Sequence, residues 1–323
     1  MMALIFSRIL LAYDDSPEAR LALDYACALA RDGAQLIVAH AAAENAALVS
    51  AVTPYGFTEI DSQPLGAELE EQSSTILERA LEACTKAGVS AEGVFLGASP
   101  MESITELARA RDTQLTVVGT HGRSGVVRTV LGSVAEEILR KSEVPVLLVN
   151  GHARSPRVDG VFARALVALD DTQTANAAMA IASKLAAGMA THLTLCNVID
   201  SRELLARSVT YGYDPIPFQA GMHVASQRLL RELADRNGHV ATAEDLLHVE
   251  GEPAETLERM AMQHNCQVIV LGTHARSGLK RLVIGSVAES LARTSSLPVL
   301  VVPIGKHGAT SADDAATKAT TYA

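Results

Sequence analysis

Residues 119–149 read GTHGRSGVVRTVLGSVAEEILRKSEVPVLLV, and residues 272–302 read GTHARSGLKRLVIGSVAESLARTSSLPVLVV. The two stretches align without a gap over 31 positions with 19 identities, at an offset of 153. The same offset links Pro100 to Pro253, and an offset of 156 links Leu-Ala-Tyr-Asp-Asp, ending at Asp15, to Val-Ala-Leu-Asp-Asp, ending at Asp171. A duplication of this reach decides the architecture before any single motif does. The chain length of 323 residues fits two domains at about 150 residues each. The expected division is domain 1 over 1–150, a linker over 151–162, domain 2 over 163–304 and a tail over 305–323. The linker is rich in Gly, Arg, Ser and Pro and reads as an exposed connection. The tail is Ala, Thr, Ser, Asp and Gly without apolar periodicity, which predicts disorder.

Within a copy, apolar runs alternate with helical stretches. In the first, strands are expected at 8–13, 35–39, 93–96, 114–118 and 144–149, and helices at 17–31, 68–87, 101–111 and 133–141. Strands rich in Val, Leu and Ile on both faces, separated by helices, predict a parallel sheet covered on both sides. The fold class is therefore α/β: two tandem doubly wound domains, each with a five-stranded parallel sheet.

Composition excludes several classes of function. With 27 Lys and Arg against 37 Asp and Glu, the formal net charge is −10, which gives no bulk attraction for nucleic acid. Six Tyr, five Phe and no Trp are too few for base-stacking platforms. No uninterrupted apolar run approaches the ~20 residues of a membrane span, and Met1–Tyr13, broken by Arg8, reads as a buried strand rather than a signal segment. The cysteines, Cys27, Cys84, Cys196 and Cys266, are scattered. Their spacing supports neither zinc nor a disulfide framework, fits a reducing compartment, and predicts small core residues in a cytoplasmic protein.

In a doubly wound sheet, ligands bind beyond the carboxyl ends of strands where the strand order reverses. If strands 1 and 4 are neighbours there, Asp14 and the loop opening at Gly119 share one crevice. Gly119 is expected to leave the strand with a positive φ and expose bare backbone, and Gly122 to do the same one turn later. Gly132 and Ser133 then open a helix whose free N–H groups and positive dipole end suit phosphate. The Ser133 hydroxyl suits either a cap or a phosphate contact, and Arg123 and Arg128 place cations in the loop between. Repetition of the whole spacing, with the Gly-Ser helix start retained at Gly285 and Ser286, favours a phosphate site over simple turns.

Gly119-x-x-Gly122-(nine residues)-Gly132-Ser133 resembles the ATP-binding signature of the universal stress protein family, and the resemblance covers both halves. It extends to the aspartate after strand 1, to Ala39-His40-Ala41 and to the final strand at Pro145-Val146. It implies a Rossmann-like, adenine nucleotide alpha hydrolase-like fold and an ATP-binding regulator of the stress response. By that resemblance Asp14 contacts the nucleoside, the backbone at Ala41 meets adenine and Gly119 approaches the ribose. Gly122, Gly132, Ser133 and the backbone of Val134 take the phosphates, with Mg²⁺ carried on phosphate oxygens. In the second half Asp170, Val198, Gly272, Gly285, Ser286 and Val287 match these positions, but Ala275 replaces the second glycine. A Cβ in a left-handed conformation costs about 1–2 kcal/mol, roughly tenfold in affinity, which predicts two sites with the N-terminal one tighter.

His121 and His274 share one place in the loops, suited to a phosphate contact or to a solvent-facing hydrogen bond to backbone. The segments 52–57 and 209–213, with Phe218, hold five of the eleven aromatics in long loops after strand 2. They read as lids, as a docking surface, or as covers for their own helices. Two other classes of function stay open beside the regulator. One is a slow ATP hydrolase or a phosphoryl or nucleotidyl transferase; no Walker sequence occurs, and no residue set supplies both a positioned nucleophile and charge stabilisation. The other is an interaction module without nucleotide. The apolar last strands, Val144–Val149 and Leu297–Val302, are expected to pair within the chain, and further homodimerisation stays open.

Overall fold

The computed structural model describes residues 4–41, 63–96, 100–120, 131–157, 160–200, 215–273 and 285–304. The first half runs β1 (Arg8–Ala12), α1 (Pro17–Ala30), β2 (Gln35–His40), α2 (Gln63–Lys86), β3 (Ala91–Phe95), α3 (Pro100–Ala110), β4 (Leu115–Gly119), α4 (Ser133–Lys141) and β5 (Val146–Val149). The second half repeats it as β6 (Arg164–Ala168), α5 (Gln173–Met189), β7 (His192–Asp200), α6 (Pro215–Arg236), β8 (Leu246–Gly251), α7 (Pro253–Gln263), β9 (Val268–Thr273), α8 (Ser286–Thr294) and β10 (Val299–Pro303). Among the described residues no helix is long and apolar enough to cross a membrane.

One sheet of ten strands results, in the order β3-β2-β1-β4-β5-β10-β9-β6-β7-β8. The strands of each half are mutually parallel, and β1 lies between β2 and β4 as β6 lies between β7 and β9. The halves meet where β5 and β10 run antiparallel, with Val299 opposite Leu148 and Val301 opposite Val146. Alternate residues of each strand feed opposite faces. Ile9 and Leu11 join the core under α1, α2, α5 and α6, while Leu10 and Ala12 join the core under α3, α4, α7 and α8. Both cores extend across both halves, and Ile9, Leu10, Leu36, Ile37, Leu166 and Ile269 are fully buried.

Three sequence expectations need correction. α2 begins at Gln63 rather than near 68, because Pro64 falls at a helix start, where its missing N–H costs nothing. The connection between the halves is not simply exposed: Asn150, Ala153, Val161 and Phe162 are buried. Phe162 stacks on Tyr25 with ring centroids 6.5 Å apart, and the Tyr25 hydroxyl donates to the Arg154 carbonyl at 2.6 Å. A few isolated apolar side chains suffice to pull a polar segment against the core. The third correction concerns Gly119, which does not adopt a positive φ. A Cβ there would lie 3.0 Å from the backbone of Glu18 and Ala19, and at Gly272 it would lie 2.7 Å from the Thr174 carbonyl carbon. These glycines are bare so that the first turn of α1 or α5 can cross the end of the neighbouring strand. The tail from 305 and the aromatic segments 52–57 and 209–213 lie outside the described residues.

Candidate functional site

Strand register brings the ends of β1, β2 and β4 to one margin of the sheet. Ala12 faces Ala39 on one side and Val118 on the other, so Asp14, Ala41 and Gly119 all emerge at the same carboxyl edge. In the second half Ala168 lies between Cys196 and Leu271, which groups Asp170, Val198 and Gly272 likewise. Gly132 returns to this edge by donating its N–H to the Thr120 carbonyl at 2.7 Å. Gly122, Arg123, Arg128, His121, His274 and Ala275 lie outside the described residues.

The helix starts at this edge differ in a way that matters for anions. In α1, Ser16 caps the helix by accepting from the Ala19 N–H at 3.1 Å, and Asp14 Oδ1 accepts from the Ser16 N–H at 3.0 Å. In α5, Thr172 is the cap, and Asp170 Oδ1 accepts from its N–H at 3.1 Å and its hydroxyl at 2.6 Å. Both aspartates are thereby turned over the start of a helix that its own side chains already satisfy. Helices α4 and α8 start instead at Gly132 and Gly285, extended residues with φ −61° and −60°, and neither has a side-chain cap. Ser133 and Ser286 are exposed residues of the first helical turn, the N-cap places being held by Gly132 and Gly285. Val134 and Val287 pack their side chains on the core below. A Cβ at Gly285 would meet no described atom within 4 Å. Helix-start N–H groups without a side-chain cap suit phosphate oxygens.

Charge beside Asp14 is organised by Asp15. Its carboxylate accepts from the Tyr13 hydroxyl and from Arg20 Nε, each at 2.9 Å, and Arg79 lies 3.6 Å away. The Arg20 hydrogen bond, more than the Tyr13 one, holds the Asp15 carboxyl below its ordinary value, and burial pushes the Tyr13 phenol up. Among the described residues no three His, Cys, Asp or Glu side chains gather to hold a metal ion.

Two features escaped the sequence reading. The buried His40 ring places Nδ1 2.7 Å from the Tyr13 carbonyl, and Asn197 Nδ2 donates to the Leu169 carbonyl at 2.7 Å. These residues hold equivalent places and tie the ends of strands β1 and β6 to β2 and β7; a polar residue ending an apolar run in both repeats was the available signal. The halves also differ in strand length. β7 continues through Asp200 with β8 beside it, so Val198 lies inside a strand whereas Ala41 lies just past one. In the second half alone, His223 Nδ1 meets His248 Nδ1 at 3.1 Å, and His223 Nε2 meets Glu250 at 2.6 Å.

The profile of the Universal stress protein family matches residues 6–150 and again 162–303. The universal stress protein YxiE of Bacillus subtilis is 32% identical over 147 residues, 45% of this chain and 99% of its own. The Mycobacterium tuberculosis universal stress protein Rv2623 is 27% identical over 306 residues, 91% of this chain and 95% of its own. A universal stress protein from Archaeoglobus fulgidus shares the fold with a TM-score of 0.68 at 22% identity, covering 93% of this chain and 99% of its own.

Proposed function

The chain belongs to the universal stress protein family, and from that premise we propose that it is an ATP-binding regulator of the stress response, with the tighter site in its N-terminal half. One observation carries this reading: at the carboxyl edge of β1 and β4, α1 is capped by the Ser16 side chain while α4 starts after Gly132 without a side-chain cap. An uncapped helix start carries about half a positive charge, a strong attraction for phosphate in a chain of net charge −10.

In this reading Asp14 meets the nucleoside, the backbone at Ala41 meets adenine and the main chain at Gly119 meets the ribose. Gly122, Gly132, Ser133 and the Val134 N–H take the phosphates, Arg123 adds positive charge, and Mg²⁺ rides on phosphate oxygens. Asp170, Val198, Gly272, Gly285, Ser286 and Val287 form the weaker counterpart. The output is a conformational or assembly state set by the nucleotide, in a cytoplasmic protein whose halves act as a pair.

Purified protein is denatured and the released small molecules are identified by mass, then refreshed protein is titrated with ATP and Mg²⁺ by calorimetry. A co-purifying adenine nucleotide, or saturable heat, is expected. No carried nucleotide together with no heat at millimolar ATP overturns the proposal.

A further inference from the structure

We infer that Cys27 and Cys84 are a thiol pair that closes to a reversible disulfide on meeting a peroxide. The two residues are 57 apart in sequence, on α1 and α2, yet their sulfurs lie 3.6 Å apart, and all four cysteines of the chain are free. A disulfide needs about 2.05 Å between sulfurs, so the two must close by roughly 1.5 Å from where they stand.

The pair is not a packing requirement of the fold. The second half supplies the comparison, with Ser183 at the place of Cys27 and Ala234 at the place of Cys84. Ala234 accepts from His239 in the same turn in which Cys84 accepts from Val89. Ser183 there has a buried hydroxyl with no hydrogen-bond partner among the described residues. Small side chains therefore fill this contact without sulfur, and at this place only the first half carries thiols.

The two sulfurs are also chemically unequal. The Cys27 S–H donates to Cys84, which draws the Cys84 thiol below its ordinary value and pushes the Cys27 thiol up. Cys84 is thus the attacking sulfur, since the thiolate is the nucleophile. It is fully buried two residues before the end of α2, so oxidation requires that last helical turn to open.

In the first step the Cys84 thiolate attacks one peroxide oxygen and the O–O bond breaks. The departing hydroxide takes a proton to become water, and Cys84 is left as a sulfenic acid. The Cys27 sulfur then attacks the Cys84 sulfur, the S–O bond breaks, and a second water leaves with the Cys27 proton. One peroxide is reduced to two waters and two thiols are oxidised to one disulfide.

The test uses the full chain, treated with hydrogen peroxide, alkylated under denaturing conditions and digested without reduction. The expected product links tryptic peptides 21–31 and 80–86, lowers the intact mass by about 2 Da for the two hydrogens lost, and disappears with dithiothreitol. Burial pushes the Cys196 and Cys266 thiols up to about 12 and about 11, so these two stay alkylatable. Full alkylation of Cys27 and Cys84 after peroxide, or a Cys196–Cys266 bond in place of theirs, overturns the inference. With Cys27→Ser, a sulfenic-acid probe should label Cys84, whereas Cys84→Ala should leave Cys27 unlabelled; equal labelling overturns the assignment of Cys84 as attacker. None of these readouts depends on bound nucleotide.

Discussion

The side-chain amide of Asn150 donates to the main-chain carbonyl of Arg293 at 2.6 Å, joining the end of β5 to the last turn of α8 in the other half. It also donates to the Ala292 carbonyl at 3.1 Å, while its own oxygen accepts from the His152 N–H at 2.9 Å. A helix end normally leaves such carbonyls unpaired. Here the opposite half closes it.

Asn150→Ala should therefore destabilise the chain by about 1–3 kcal/mol, the cost of stranding buried carbonyls. Asn150→Asp should cost more, because a carboxylate cannot donate and faces the negative end of the helix dipole. Denaturant melts of the three proteins check the order; an Asp variant as stable as wild type refutes it.

Gly119→Ala and Gly272→Ala should both lose stability, and unequally. A Cβ at Gly119 would need neighbours at 3.0 Å to yield slightly, whereas at Gly272 it would lie 2.6 Å from Thr174 Cβ. Overpacking of this kind costs about 1–3 kcal/mol, with Gly272→Ala at the upper end. Thermal melts showing equal losses would count against the close helix crossing as the reason for these glycines.

Ser133→Asp separates folding from binding. A negative charge in the first turn should stabilise α4 by about 0.3–1 kcal/mol, and the same charge should repel phosphate. A higher melting temperature together with weaker ATP affinity is expected; unchanged affinity would place the phosphates elsewhere.

The paired loops predict opposite effects from opposite substitutions. Gly122→Ala should weaken the N-terminal site, and Ala275→Gly should strengthen the C-terminal one, each by roughly tenfold if a left-handed residue is required. Calorimetry resolving two wild-type sites of equal affinity would end the asymmetry.

Acid should remove one specific contribution. Arg20 and Tyr13 hold the Asp15 carboxyl below its ordinary value, so the folded state favours the carboxylate. The sign follows from linkage: this stability is complete above the unfolded value of about 3.9 and is lost as pH falls through the lower folded one. The gap between wild type and Asp15→Asn should be constant near neutrality and shrink below about pH 4. A gap independent of pH would show that the ion pair contributes nothing.

The parallel sheets and the order around β1 and β4 were legible because the repeat is long and the strands are apolar on both faces. Asp14, Gly119 and Ser133 were legible as a group because fold rules put the ends of β1 and β4 together. The physical reason for Gly119 was not legible, since a glycine needed for a positive φ and one needed for a close helix crossing look alike in sequence. Contacts between distant positions, such as Cys27 with Cys84 or Tyr25 with Phe162, leave no local pattern. The clasp of Asn150 left no sign because its partners are carbonyls, which every residue carries.

The antiparallel meeting of β5 with β10 has a consequence for the whole molecule. Because the strands of the two halves point opposite ways, the mouth beside Asp14 and the mouth beside Asp170 open at opposing margins of one continuous sheet. The seam of Val146–Leu148 with Val299–Val301, together with the Asn150 clasp, is what fastens these two margins into one body.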